Sequence, residues 1–229
     1  MTHPLDRPIW SALTTGWAHL AEGGDAARRI DRDIGLFGAA ADDSAESLAA
    51  LAALVPEHGE LWLVERAPMK LPEGVRLVKE GLAVQMVLDK LAPTARAAPE
   101  IIPLAEADGA EMFALATLTE PGPYVRYSHR LGGFVGVRVA GQLVAMAGER
   151  MRMPGFAEIS AVCTDPAWRG RGLAGHLTRH VANAILARGE TPFLHCYASN
   201  TATVALYEAM GFRIRTDIRA PILARMPAG

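Results

Sequence analysis

The segment Arg169-Gly-Arg-Gly-Leu-Ala-Gly175 limits most narrowly what this chain can fold into. It lies between a strand-like run, Phe156–Thr164, and a run with helical spacing at Leu173, Leu177, Val181, Ala184 and Ile185. A glycine-rich turn from strand to helix belongs to an α/β architecture. The first N–H groups of such a helix lack partners inside it, and with the helix dipole they form an anion site. Small residues let a phosphate approach the backbone, and Arg169 and Arg171 add positive charge. A turn that only packs helix on sheet would look similar. So would a dinucleotide fingerprint, because Gly170, Gly172 and Gly175 fit G-x-G-x-x-G and Glu190 follows. That fingerprint wants glycines at the strand end and the acid after the next strand. Here five residues separate Thr164 from Gly170, and Glu190 precedes its strand.

Charge and cysteine content narrow the function classes. The formal net charge is −2 over 229 residues, which argues against a dedicated nucleic-acid binder. Residues 1–98 carry ten basic and fourteen acidic side chains (−4), and residues 99–229 carry thirteen and eleven (+2), so a phosphate-bearing ligand suits the second part. The two cysteines, Cys163 and Cys196, do not indicate a disulfide scaffold. Their spacing with His195 offers no metal-ligand pair, so no metal is expected. The start, Met1 to Arg7, lacks the apolar core of a signal peptide, and the longest apolar run, Leu48–Val55, is too short to cross a membrane. The reading is a cytoplasmic protein with no membrane partner.

Periodicity sketches the elements. Helices are predicted over 9–21, 44–55 (with Asp43 and Glu46 as a capping box), 106–118, 125–130, 173–188 and 201–210. Strands are predicted over 60–65, 74–78, 82–88, 101–104, 134–139, 143–151, 156–164, 191–198, 213–217 and 219–226. The Pro/Ala-rich stretch from Lys90 to Pro99 reads as a linker. It divides a mixed α/β region, 1–98, of unassigned role from a second domain, 99–229.

Arg169-Gly-Arg-Gly-Leu-Ala174 also matches Gln/Arg-x-x-Gly-x-Gly/Ala, and with Val162-Cys-Thr-Asp-Pro-Ala-Trp168 before it, and Asn200 and Leu206-Tyr-Glu-Ala-Met-Gly-Phe212 after it, residues 100–226 resemble the GNAT acetyltransferase superfamily, FR47-like branch, glycine acyltransferase type. Thr164 stands where a Val is commoner. The resemblance implies a mixed α/β sheet whose two parallel strands splay apart to admit the pantetheine arm of acetyl-CoA. In some two-part relatives the N-terminal region is a degenerate copy of the same fold. The resemblance further implies that Val162, Cys163 and Thr164 border the arm, and that Arg169, Gly170, Arg171, Gly172, Leu173, Ala174 and Gly175 hold the pyrophosphate. Asn200 would bond the cofactor's amide arm or cap a helix, and Tyr207 would bind cofactor and act as general acid. Glu158, a carboxylate on an apolar strand, is the expected base, directly or through water, with desolvation raising its pKa. His195 is the alternative base, and with Tyr124 and Arg126 it is a candidate for binding the acceptor. The implied acceptor is a small amine or a peptide N-terminus, and dimers are common in the family. A non-catalytic acyl-CoA sensor and an NAD(P)-binding oxidoreductase stand as rivals.

Overall fold

The computed structural model describes residues 3–94 and 99–227. The chain begins with α1 (Pro8–Leu13), then a small antiparallel sheet of β1 (Ala21–Gly23), β2 (Ala27–Ile30) and β3 (Gly38–Ala40). Next come α2 (Ala45–Leu54), β4 (Leu61–Trp62) and β5 (Val75–Val87). After the Pro/Ala-rich stretch follow β6 (Ile102–Leu104), α3 (Gly109–Thr119), β7 (Phe134–Val139), β8 (Gln142–Met153) and β9 (Phe156–Thr164). The glycine turn leads into α4 (Leu173–Ala187), then β10 (Thr191–Tyr197), α5 (Thr201–Ala209) and β11 (Arg213–Arg225).

Eight strands form the main sheet in the order β4-β11-β5-β10-β9-β8-β7-β6. The β9–β10 pair is parallel and its neighbours are antiparallel. That parallel pair is joined through α4, as a parallel connection requires. The sheet does not divide where the Pro/Ala-rich stretch does. Strand β5 comes from the first 98 residues, yet it lies between β10 and β11 and pairs with both. Its inner half, Ala83–Val87, is buried, while Arg76–Glu80 are exposed.

Period-two alternation sorts the core onto the two faces of the sheet. Val84, Met86 and Leu88, with Leu194 and Cys196 of β10, pack with Leu173, Leu177, Val181 and Ile185 of α4 and Tyr207 and Met210 from the α5 end. These α4 residues lie four apart, which puts them on one stripe. Ala83, Val87 and Phe193 point the other way, into a cluster with Leu5, Ile9, Leu13 and Trp17. Gly16 permits the close approach of this N-terminal segment: a Cβ there would lie 2.2 Å from the Arg152 carbonyl oxygen of β8. Trp17 Nε1 then donates to the Arg150 carbonyl at 2.9 Å.

Several predicted elements are corrected. The helix expected over 9–21 ends at Leu13 and gives way to turns and β1. The cap of α2 is Ser44, whose hydroxyl accepts from the Ser47 N–H at 3.2 Å, not Asp43. The predicted strands 74–78 and 82–88 are one strand, as are 213–217 and 219–226, because the β5–β11 ladder runs on through Lys79 and Glu80 in one and through the buried Ile218 in the other. The 125–130 helix is a single 3-10 turn, Ser128–Leu131. Of the predicted linker, residues 95–98 lie outside the described residues. Its first part is fastened: Ala92 N–H donates to the Met210 carbonyl at 2.9 Å, and Arg179 donates to the Ala92 carbonyl.

Because β5 supplies the partner for both β10 and β11, a chain starting at residue 99 leaves two inner edges bare. Such a chain is expected to show no cooperative thermal transition by circular dichroism. A sharp melt of residues 99–229 alone would contradict this.

Candidate active site

The sheet opens where β9 and β10 part. Their parallel pairing covers Thr191–Phe156, Pro192–Ala157 and Phe193–Glu158 and goes no further. Beyond it, β9 continues to Thr164 and β10 to Tyr197. Asp165 N–H turns to the Val144 carbonyl of β8 at 2.8 Å. Alternation along the strand then aims the backbone groups of Val162 and Thr164 into the opening. A bulge sits in β9 here: the register with β8 shifts between Met146–Cys163 and Gly148–Ser160, and Ala161 takes φ +51°.

A cavity of about 760 Å³ fills one side of this opening. It is lined by Val162, Cys163, Thr164, Arg169, Gly170, Gly172–Gly175 and Asn200, all expected there, and also by Trp168, His176 and Arg179, which were not. Gly170 and Gly172 take φ +77° and +79°, a left-handed conformation that glycine adopts without strain. Gly172 starts α4 without a side-chain cap. The N–H groups of Leu173, Ala174 and Gly175 therefore point outward with no backbone partner. Arg169 Nε donates to the Thr164 carbonyl at 3.3 Å. Arg171 stacks over the Trp168 ring, 4.4 Å from its centroid, and does not line the cavity. The Thr164 hydroxyl is buried here without a partner. Asn200 caps α5 through Oδ1, accepting from Thr203 N–H at 3.3 Å, which leaves its amide nitrogen for a ligand. A free helix N-terminus, an orphaned hydroxyl and an unpaired strand edge fit the pyrophosphate and amide arm of a coenzyme A ester.

A second cavity, about 320 Å³, adjoins the first. Thr119, Pro121, Val162, Asn200 and Thr203 line both. Tyr207, Glu158 and His195 line the second one, joined by Arg150, Ser160 and Tyr197. Phe37, Trp62 and Val64, from the first 98 residues, form part of its wall. Tyr207 is buried and its hydroxyl makes no hydrogen bond among the described residues, and burial pushes its pKa upward. The loop after α3 reaches this cavity through Glu120–Pro123. Tyr124 and Arg126 do not line it. Tyr124 packs edge-on to Phe134 with its hydroxyl buried and unpartnered, and Arg126 is exposed beside Tyr127.

Glu158 is fully buried and sits in a closed polar network. Arg150 grips it with two hydrogen bonds of 2.7 Å, Nε to Oε2 and Nη2 to Oε1. His195 Nδ1 lies 2.8 Å from Glu158 Oε1. Its Nε2 lies 3.0 Å from Gln85 Nε2. The orientation of Gln85 is fixed, because its amide nitrogen donates to the Leu5 carbonyl and its oxygen accepts from Arg215 Nη1. A donor therefore faces His195 Nε2, which accepts, and Nδ1 donates to Glu158. Burial pushes the Glu158 carboxyl up, but the Arg150 charge, its hydrogen bonds and His195 outweigh that and hold it at about 2. The expected desolvated base with a raised pKa is instead a locked carboxylate. Nothing in the sequence marked Arg150 as its partner. Gln85 could have been noticed as a polar residue inside an apolar strand.

Cys163 and Cys196 are free and buried, and burial pushes the Cys163 thiol up to about 11. Among the described residues no cluster of three metal-ligating side chains occurs, and no helix is long and apolar enough to cross a membrane.

Comparison with known proteins agrees with this geometry. The model of the FR47-like protein family matches residues 134–220. A GNAT-family protein of solved structure from Novosphingobium aromaticivorans, assigned as an acetyltransferase, is 44% identical over 98% of this chain and all of that one, with a TM-score of 0.91. A GCN5-related N-acetyltransferase from Kribbella flavida shares the fold at 19% identity and a TM-score of 0.66, over 96% of this chain and 95% of its own. The N-alpha-acetyltransferase RimI of Mycobacterium tuberculosis is 35% identical over 101 residues, 41% of this chain, and the match spans 63% of that relative's length. The glycine turn, the parted strands and the full-length similarity to the Novosphingobium protein together show that this chain belongs to the GNAT family of acetyltransferases.

Proposed function

We propose that the protein is an acetyl-CoA-dependent N-acetyltransferase that passes an acetyl group to a primary amine by direct attack. The observation that carries this reading is the meeting of the two cavities at Val162, Asn200 and Thr203, where a thioester seated in one would face an acceptor in the other. Acetyl-CoA, when bound, supplies the activated acyl thioester. The N–H groups at the start of α4 and the side chain of Arg169 hold its pyrophosphate, and the backbone of Val162 and Thr164 takes the amide arm.

Tyr207 holds a proton at Oη. Its raised pKa keeps the hydroxyl protonated at working pH, so it can donate to the leaving sulfur. Glu158 is a poor acceptor of the amine's proton, because its charge is already matched by Arg150. We assign it to positioning: with His195 and Gln85 it fixes the floor of the acceptor cavity. The amine proton then leaves to water through the cavity's open side. We also assign residues 1–98 to the acceptor side, through Phe37, Trp62 and Val64.

The open acceptor cavity weighs against a non-catalytic sensor. Glu190, needed for a ribose in the dinucleotide reading, is engaged by Arg152 and Arg188. The similarity to an N-alpha-acetyltransferase supports an amine as the acceptor. A cytoplasmic location suits these substrates.

Replacing Tyr207→Phe is expected to lower kcat about 100-fold with little change in the KM for acetyl-CoA. Steady-state kinetics on any amine that is turned over checks it, and an unchanged kcat removes the role. Glu158→Gln leaves the Arg150 charge buried without its partner, at a cost of about 3–5 kcal/mol in thermal or denaturant unfolding. Because the folded carboxyl is held down at about 2 and a glutamate's ordinary value is 4.5, its stabilisation is present above the higher value and is lost as pH falls towards the lower. Wild-type Tm should therefore fall more steeply than that of the Gln variant between these limits. Parallel acid profiles would contradict the locked carboxylate.

A further inference from the structure

The acceptor cavity has an uneven charge. Beside the neutral hydroxyls and thiol of Tyr197, Tyr207 and Cys196, four residues with a carboxylate, guanidinium or imidazole line it: Glu120, Arg150, Glu158 and His195. Arg150 and Glu158 cancel in their two-pronged pair, and both ring nitrogens of His195 are taken up by Gln85 and Glu158. Glu120 remains. It lies exposed at the rim, and its carboxylate has no ion pair or hydrogen bond among the described residues.

The backbone at Glu120 is also unusual. It closes α3 with φ +48° and ψ +56°, a place where glycine or asparagine is the usual residue. Among the described residues, three non-glycine residues take positive φ: Glu120, Ala140 and Ala161. Ala140 serves the β7–β8 hairpin turn, and the other two both line this cavity. Glu120 holds this strained conformation although Gly122 is two residues on, and Pro121 and Pro123 stiffen the loop. The lining also includes the apolar side chains Phe37, Trp62, Val64 and Ile218. At about 320 Å³ the cavity is at the small end for ligand sites.

We propose that the acceptor is a small primary amine with an aryl or branched alkyl body and no carboxylate, and that Glu120 binds its ammonium at the cavity mouth. This rests on the acetyltransferase reading. The apolar body takes the wall of Phe37, Trp62 and Val64. A carboxylate on the acceptor would lose water, face Glu120, and meet no unpaired cation, since Arg150 is committed to Glu158. Glu120 is a binding residue here; proton transfer is not assigned to it.

The test uses the full chain saturated with coenzyme A. Calorimetric titrations compare 2-phenylethylamine, phenylalanine and an alanyl tetrapeptide. Phenylethylamine should bind about tenfold tighter than either of the others, as one added buried or like charge costs at least that much. Glu120→Gln should weaken phenylethylamine about tenfold, and Glu120→Asp should recover part of the loss, with Tm unchanged because the side chain is exposed. Equal binding of phenylalanine or the peptide, no binding of phenylethylamine, or an unaltered Kd in the Gln variant would each overturn the proposal. Acetyl transfer to the bound amine is read separately by mass spectrometry with acetyl-CoA. Glu120-dependent binding without transfer would sink the acetyltransferase reading and leave the ligand class standing.

Discussion

The parting of β9 and β10 is the feature on which the rest of the structure depends, and a buried charge cluster sits at its fork. Phe193–Glu158 is the last rung of the parallel ladder. One step beyond, the Glu158 carboxylate reaches across to His195 and back to Arg150 on β8. Strands that diverge lose their ladder bonds, and something else must fix the angle between them. Here a charge-assisted triangle does so, with both carboxylate oxygens occupied and the imidazole satisfied at both nitrogens. A half-satisfied version of the cluster would cost more than an apolar core. The same cluster that holds the fork open is therefore ill suited to titrate during turnover.

The network continues into the part of the chain that carries no motif. Gln85 on β5 connects His195 to Leu5 and to Arg215, and Arg215 pairs with Asp6 at 2.6 Å. Arg150 lies over the Phe37 ring, 4.8 Å from its centroid, and its carbonyl receives Trp17. Residues 3–94 thus complete the sheet with β5, brace the fork from one face, and supply part of the wall of the second cavity.

What could be read from the sequence follows from how local the signal is. The glycine turn, α4, β7 and β9 are set by residues within a few positions of one another, and their bounds agree with the structure to within two residues. The lining of the first cavity was legible for the same reason, since most of it comes from one continuous segment, Val162 to Gly175. The acceptor side was not. Phe37, Trp62 and Val64 reach it only through the folding of the N-terminal region onto the sheet. The helix expected to run to residue 21 followed Leu20 at helical spacing, but Gly16 has to abut β8 and the helix ends before it. The break expected in β5 falls at Lys79 and Glu80, polar residues that the long ladder tolerates in its exposed outer half, and the one expected in β11 falls at Ile218, which the same ladder pairs with Ala83.

Glu158 shows why a single residue's environment is not enough to assign a role. A carboxylate in an apolar strand is correctly read as desolvated, and desolvation alone would raise its pKa. The sign reverses because β8 and β9 are a hairpin, so Arg150, eight residues away in sequence, faces it across the strands. The counter-charge is largely withdrawn from water too, its side chain 14% exposed against 1% for Glu158, and in that medium the pair interaction exceeds the desolvation that makes it strong. A carboxylate that stays responsive must be one without such a partner, and around this cavity that describes Glu120 at the wet rim rather than Glu158 on the floor.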